Sequence, residues 1–302
     1  MDESRIREML ACPVASTPTL FLRDGRIDFD GLRNFIDFVI AGGTRTILLT
    51  YGDSLYSLLT DDEVEEVTRV TVEHTAGRAL VVAADRIWAT PKTVEFARYV
   101  REVGADMLMV LPPSWANSPT IDTLVEHNAA AAAEIPVMVV TNLFAPRQRM
   151  GLEVLERLRD EVPNVLAVKD DVCGDFARRL TLLVRERMTV VSGGQKQNHL
   201  DLLPYGCDGY LSTFIKFRPA VTRDYWAAVQ AGDPARLREI IRVYDMPYFD
   251  FIMDLPGGFN AGLHGTLELF GVAGRWRRKP YYSLNDQEME RLADFLRSKG
   301  LF

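Results

Sequence analysis

The sequence predicts an α/β fold, a (β/α)8 TIM barrel with a C-terminal helical extension, on three observations. Short continuous apolar runs recur at fairly even intervals. Segments with helical periodicity lie between them. No glycine-rich nucleotide turn of the GxGxxG or Walker kind is present, which disfavours the competing doubly wound open sheet.

The apolar runs are "CPVAST" (12–17), "TRTILLT" (44–50), "ALVVAA" (79–84), "DMLMVL" (106–111), "PVMVVT" (136–141), "NVLAVK" (164–169), "MTVVSG" (188–193) and "GYLST" (209–213). Runs without polar alternation suit strands buried on both faces of a parallel sheet. After the first run, Leu32, Phe35, Ile36, Val39 and Ile40 follow helical spacing, and Gly42–Gly43 can stop that helix. Thr60 and Glu63 predict a capping box ahead of Val64, Val67 and Val70. Thr90–Pro91 and Ser118–Pro119 each read as an N-cap followed by proline at the first helical position. Leu152, Leu155 and Leu158 mark a further helix, as do Leu180, Leu183 and Val184. From about Pro219 the pattern becomes all-helical, near 219–231, 235–249, 260–271 and 286–299. Residues 1–218 are therefore expected to form the barrel and 219–302 an extension packed on it as one structural unit.

Composition narrows the function. A formal net charge of -7 argues against a broad nucleic-acid or anionic-membrane surface. No apolar run approaches the roughly 18 residues of a membrane span. Three cysteines without CxxC spacing, and an acid-containing start "MDESRIREML" unlike a signal peptide, predict a reducing, cytoplasmic setting. The four histidines show no metal-ligand spacing. The acidic run at Asp61–Glu66 reads as a solvated helix start, and "GRWRRKP" is too short and isolated to suggest nucleic acid.

In such a barrel the C-terminal strand ends face the active site. Those ends carry Ser16 and Thr17, Thr50 to Ser54, Asp85 and Arg86, Pro112 to Trp115, Thr141 and Asn142, Lys169 and Asp170, Ser192 to Gly194, and Ser212 and Thr213. Lys169 is the one lysine in this set. At an apolar barrel mouth an ammonium loses hydration, which frees the amine to attack a carbonyl. A salt-bridged strand end is an equal reading on placement alone. Strand alternation sends Asp170 away from Lys169, into the helix layer. "TYGDS" (50–54) offers hydroxyls and a glycine that can hold a carboxylate, although an ordinary turn explains it as well. The glycines of "SGG" (192–194) permit close approach of backbone to a ligand. Arg149 and Arg147, after the fifth strand, are candidate carboxylate clamps or solvated loop arginines.

With these pieces in place, the chain resembles the dihydrodipicolinate synthase and N-acetylneuraminate lyase family of class I, Schiff-base-forming aldolases. The likeness runs over nearly the whole length, through "STPTLFLRDGRIDFDGL", "TYGDS", "VTN", "VKD", "VSGG", "GYLS" and "GVAGRWRRKP". The resemblance implies that Lys169, ending strand six, is the imine-forming lysine. It implies that Thr50 matches the first threonine of a Gly-Thr-Thr-Gly-Glu motif, with Gly52 and Ser54 matching directly and Asp53 standing for the glutamate. Asn142 matches the asparagine of Tyr-Asn-x-Pro, and Arg149 the carboxylate-binding arginine. Ser192, Gly194 and Ser212 fall in the substrate-shaping strand ends.

Two departures stand out. Tyr51 replaces the second threonine, and Thr141 replaces the general acid–base tyrosine. A threonine hydroxyl is far less acidic than a phenol. Tyr51 is therefore the expected substitute in the proton relay with Thr50 and Thr141, an idea that unchanged turnover in Tyr51→Phe would sink. Ser114 in "LPPSW" stands where the family has a tyrosine that reaches a neighbouring subunit. Two functions stay open. One is an aldolase- or dehydratase-type lyase acting on pyruvate or another 2-keto acid, outside the lysine-biosynthetic synthase reaction. The other is a catalytically silent relative that binds a keto acid or sugar acid as a sensor or partner protein. The resemblance further implies no metal or organic cofactor and a homo-oligomer, dimer or tetramer.

Overall fold

Eight runs that alternate poorly with polar residues can satisfy their backbone and hide both faces only by pairing side by side under a helix layer. The computed structural model, which describes residues 3–302, shows that arrangement. In chain order the elements begin α1 (Glu3–Leu10), β1 (Pro13–Ser16), α2 (Phe29–Ala41), β2 (Thr46–Leu48), α3 (Asp61–Thr75), β3 (Leu80–Ala84), α4 (Thr90–Glu102) and β4 (Met107–Val110). They continue with α5 (Ile121–Ala132), β5 (Val137–Val140), α6 (Gln148–Glu161), β6 (Val165–Asp170), α7 (Gly174–Val184), β7 (Thr189–Ser192), α8 (Gln195–Leu202) and β8 (Gly209–Leu211). Five helices follow: α9 (Pro219–Gln230), α10 (Pro234–Ile240), α11 (Met246–Met253), α12 (Gly258–Leu269) and α13 (Asp286–Ser298). The strands are all parallel and close in sequence order, β1 pairing with β8.

Local chemistry fixes the helix starts. The Thr60–Glu63 capping box is present at α3. At α4 the cap is Ala89, so Thr90 and Pro91 are already inside the first turn, one position later than the Thr-Pro spacing suggests. At α5 the correction is larger. Ser118 does not cap; Thr120 does, in a reciprocal box with Thr123, because the Ser118 hydroxyl donates to the Trp115 carbonyl instead. Two helices have no forecast in the periodicity, α1 and α8, each eight residues long. The first packs across β3, β6 and β7, so it closes the end of the barrel opposite the strand C-termini. Gly209 opens β8 against this closure: a Cβ there would stand 2.2 Å from the Leu10 carbonyl oxygen.

One hydrophobic core runs from the barrel into the C-terminal helices. The chain passes from α10 to α11 through a π-helical turn at 241–245. That turn and α11 lean on α8 and on α12, which brings Phe249 and Phe259 to the mouth of the barrel. No helix among the described residues is long and apolar enough to cross a membrane.

Candidate active site

Side chains alternate along β6, and its last residues set the centre of the site. Lys169 points into the barrel mouth and is 6% exposed. Asp170 points outward, where its carboxylate accepts from the Thr141 hydroxyl at 2.9 Å and from the Cys173 amide at 3.0 Å. Burial raises the Asp170 carboxyl above its usual range. Asp171 returns to the inner face. Lys169 Nζ donates to both of its oxygens, at 2.5 and 2.6 Å.

The turn after β2 is tied by its own short polar side chains. Thr50 Oγ1 accepts from the Asp53 amide at 2.9 Å, and Ser54 Oγ accepts from the Thr50 amide at 2.9 Å while donating to the Thr17 carbonyl. Among the described residues, the Tyr51 and Gly52 amides donate to no backbone acceptor outside helices and strands. Asp53 reaches across the mouth. Ser16 Oγ donates to its Oδ2, and Lys216 Nζ donates to the same oxygen at 2.9 Å. Burial alone would raise the Asp53 carboxyl, but Lys216, with Ser16 and the nearby Lys169, holds it below the ordinary carboxylate range.

Lys169, Asp171, Ser16 and the turn from Thr50 to Asp53 line a cavity of about 710 Å³. Of the residues expected there, Lys169, Thr50, Tyr51, Gly52, Asp53, Asn142 and Gly194 are on its wall. Ser54 is not; it is buried inside the turn that it braces. Thr141 is fully buried on the outer face, holding Asp170 and accepting from the Asp171 amide at 2.9 Å. Ser192 and Ser212 likewise face outward, to Asn198 and to Thr222 of α9. Arg149 lies in the first turn of α6, its side chain 94% exposed and paired with Glu153 at 3.0 Å, so it clamps nothing in the cavity. Arg147 is turned toward the β4–α5 connection, donating to the Asn117 and Pro119 carbonyls.

Several wall residues have no forecast as site residues: Asp171, Cys173, Asn198, Asp201, Phe249 and Phe259. Alternation from Lys169 could have found Asp171. The aromatic pair comes from helices far along the chain and left no local signal. Cys173 and Gln195 both hold positive φ, 67° and 47°, unfavourable for residues with a Cβ. The Cys173 thiol is pushed up to about 11, first by burial and then by Asp170 and Asp171, so it is a poor thiolate. Among the described residues no group of three or more His, Cys, Asp or Glu side chains is arranged to hold a metal ion.

Comparison with known proteins agrees with the barrel fold. The family model described as the dihydrodipicolinate synthetase family matches residues 10–299. A 4-hydroxy-tetrahydrodipicolinate synthase of Methanospirillum hungatei is 28% identical over 94% of this chain and 97% of its own. A Saccharopolyspora erythraea protein named "Probable 5-dehydro-4-deoxyglucarate dehydratase" is 28% identical over 97% of this chain and 95% of its own. The crystal structure of dihydrodipicolinate synthase from Aquifex aeolicus superposes with a TM-score of 0.81 at 25% identity, covering 96% of this chain and 98% of that one.

Proposed function

Since the chain belongs to the dihydrodipicolinate synthetase family, we propose that it is a lyase that forms an imine between Lys169 and a 2-keto acid. The observation that carries this reading is the placement of Lys169 Nζ, nearly buried on the wall of the large cavity at the barrel mouth. Addition of the amine to the ketone and loss of water give a cationic imine, which withdraws electrons from the adjacent carbon and so permits C–C or C–O cleavage. The Tyr51 and Gly52 amides are suited to the C1 carboxylate, beside Thr50. Tyr51 lines the same cavity and keeps its expected part in proton transfer.

The charged wall bounds the rest of the substrate. Three carboxylates, Asp53, Asp171 and Asp201, and one ammonium, Lys169, line the cavity. Both arginines after β5 are turned away, to Glu153 and to loop carbonyls. The distal wall is made of amides (Asn142, Gln195, Gln197, Asn198) and of Phe249 and Phe259. This suits a tail of hydroxyls and carbon rather than a second carboxylate.

Turnover of a 2-keto acid panel, with release of a smaller keto acid or of water as the readout, tests the reading. Lys169→Met should lose on the order of 10³-fold or more in kcat. A substrate turned over equally well by Lys169→Met would reject the imine route. A ligand-induced thermal shift with no turnover anywhere in the panel would favour the silent, ligand-binding alternative. Family membership also carries the expectation of a homo-oligomer, which light scattering on the purified protein checks.

A further inference from the structure

The amine that would attack the ketone is gripped at both oxygens of a single carboxylate. The Lys169 side chain is 8% exposed and that of Asp171 25%. Three features hold the carboxylate there. Alternation returns position 171 to the face that bears Lys169. The Asp171 amide donates to Thr141 Oγ1 at 2.9 Å, which fixes the backbone where β6 ends. Gly193 then leaves the space: a Cβ at that position would stand 1.8 Å from Asp171 Oδ1 and 2.9 Å from Lys169 Nζ. Any larger residue would push the carboxylate off the amine. Asp171 also lines the cavity beside Lys169, so it faces the place where the ketone would sit.

We propose that Asp171 is the acid–base catalyst of imine formation on Lys169. The proposal rests on the reading above, that Lys169 adds to a 2-keto acid. Asp171 takes one proton from the Lys169 ammonium, and the freed lone pair forms the Nζ–C2 bond as the C2 carbonyl becomes an alkoxide. The nitrogen passes a second proton to that oxygen, giving the neutral carbinolamine. Protonated Asp171 then delivers its proton to the C2 hydroxyl. The C2–O bond breaks, water leaves, and the nitrogen lone pair closes the protonated imine. The ammonium has lost two protons, both now in the water, and Asp171 is again a carboxylate. Thr141 is a positioning residue in this scheme, acting through the Asp171 backbone.

Borohydride quenching at timed intervals, starting with pyruvate and continuing through other 2-keto acids, measures the rate at which the Lys169 adduct forms. The two possible roles of Asp171 give opposite signs. As a counter-ion only, its loss in Asp171→Asn removes the charge that favours the ammonium, and the adduct forms as fast or faster. As the proton carrier, its loss slows adduct formation about 100-fold while the adduct still appears on Lys169. Added formate should speed Asp171→Ala, and because both arms use one protein sample, folding differences drop out. An unslowed Asp171→Asn, or no response of Asp171→Ala to formate, would overturn the proposal while a normal wild-type adduct leaves the reading beneath it standing. No adduct on wild-type Lys169 with any acid would overturn both.

Discussion

Asp85 stands at the end of β3 and, among the described residues, pairs with no cation. Its Oδ1 accepts from the Leu111 and Ile87 amides at 2.9 and 3.4 Å, and its Oδ2 from Thr93 at 3.1 Å. Burial pushes its carboxyl up to about 7. A folded value above the unfolded one means that the folded chain binds the proton between roughly pH 4 and 7 while the unfolded chain has lost it. The associated stability is present below about pH 4 and is lost as pH rises through about 7. Asp85→Asn keeps an acceptor for the two amides and offers Nδ2 to Thr93. Thermal melts should show it more stable than wild type at pH 8, by up to ~4 kcal/mol, and close to wild type at pH 4. A gain of equal size at both pH values would contradict the account.

Residue by residue, the sequence was most legible where strand alternation was followed through. It sends Asp170 outward, and the carboxylate does bond to Thr141 and the Cys173 amide on the outer face. Carried to the neighbouring strands, the same parity accounts for the misplaced residues. Val140 and Leu211 line the cavity, so Thr141 and Ser212, one position on, face the helix layer. Strand-end position alone does not say which way a side chain points. Lys216 was illegible for a different reason. It lies in the turn after β8, and only the closed barrel brings its ammonium to Asp53, 163 positions away in sequence.

At the scale of elements, α8 is the critical piece. It is short and barely amphipathic in sequence, yet its first residues carry part of the cavity wall. A buried ion pair fastens it to the extension. Lys196 Nζ donates to Asp245 Oδ1 at 2.6 Å, with the two side chains 2% and 1% exposed. The ammonium also sits 4.3 Å from the centre of the Phe214 ring. Asp245 ends the π-helical turn, and Phe249, one turn further on, meets the cavity. Removing one partner leaves a buried charge, so Lys196→Met should cost about 3–5 kcal/mol in denaturant melts. Replacing both, as Lys196→Met with Asp245→Leu, should recover most of that loss. A double variant as unstable as the single one would show that the pair does more than neutralise itself.

For the whole molecule, the barrel was readable because parallel strands buried on both faces leave continuous apolar runs, and eight of them allow closure. The extension was readable as helices, but its contribution to the site, through Phe249 and Phe259, depends on tertiary packing that no local pattern encodes. The charge of the finished cavity makes its own prediction. Between two 2-keto acids of matched length, one with a hydroxylated neutral tail and one ending in a second carboxylate, the neutral tail should be favoured in kcat/KM by ~10-fold, the size of one unscreened like-charge contact at the mouth. Preference for the dicarboxylate would contradict that description of the wall.

In the proposed reaction Lys169 is a nucleophile as well as the partner of Asp171 in a strand-end ion pair. The most direct measurement is borohydride reduction of the protein with a panel of 2-keto acids, followed by peptide mass spectrometry. A nucleophilic Lys169 gives one reduced adduct, on the peptide that carries it, absent from Lys169→Met and without a counterpart on Lys196 or Lys216. No adduct on Lys169 with any acid of the panel, or an adduct that persists in Lys169→Met, would contradict it.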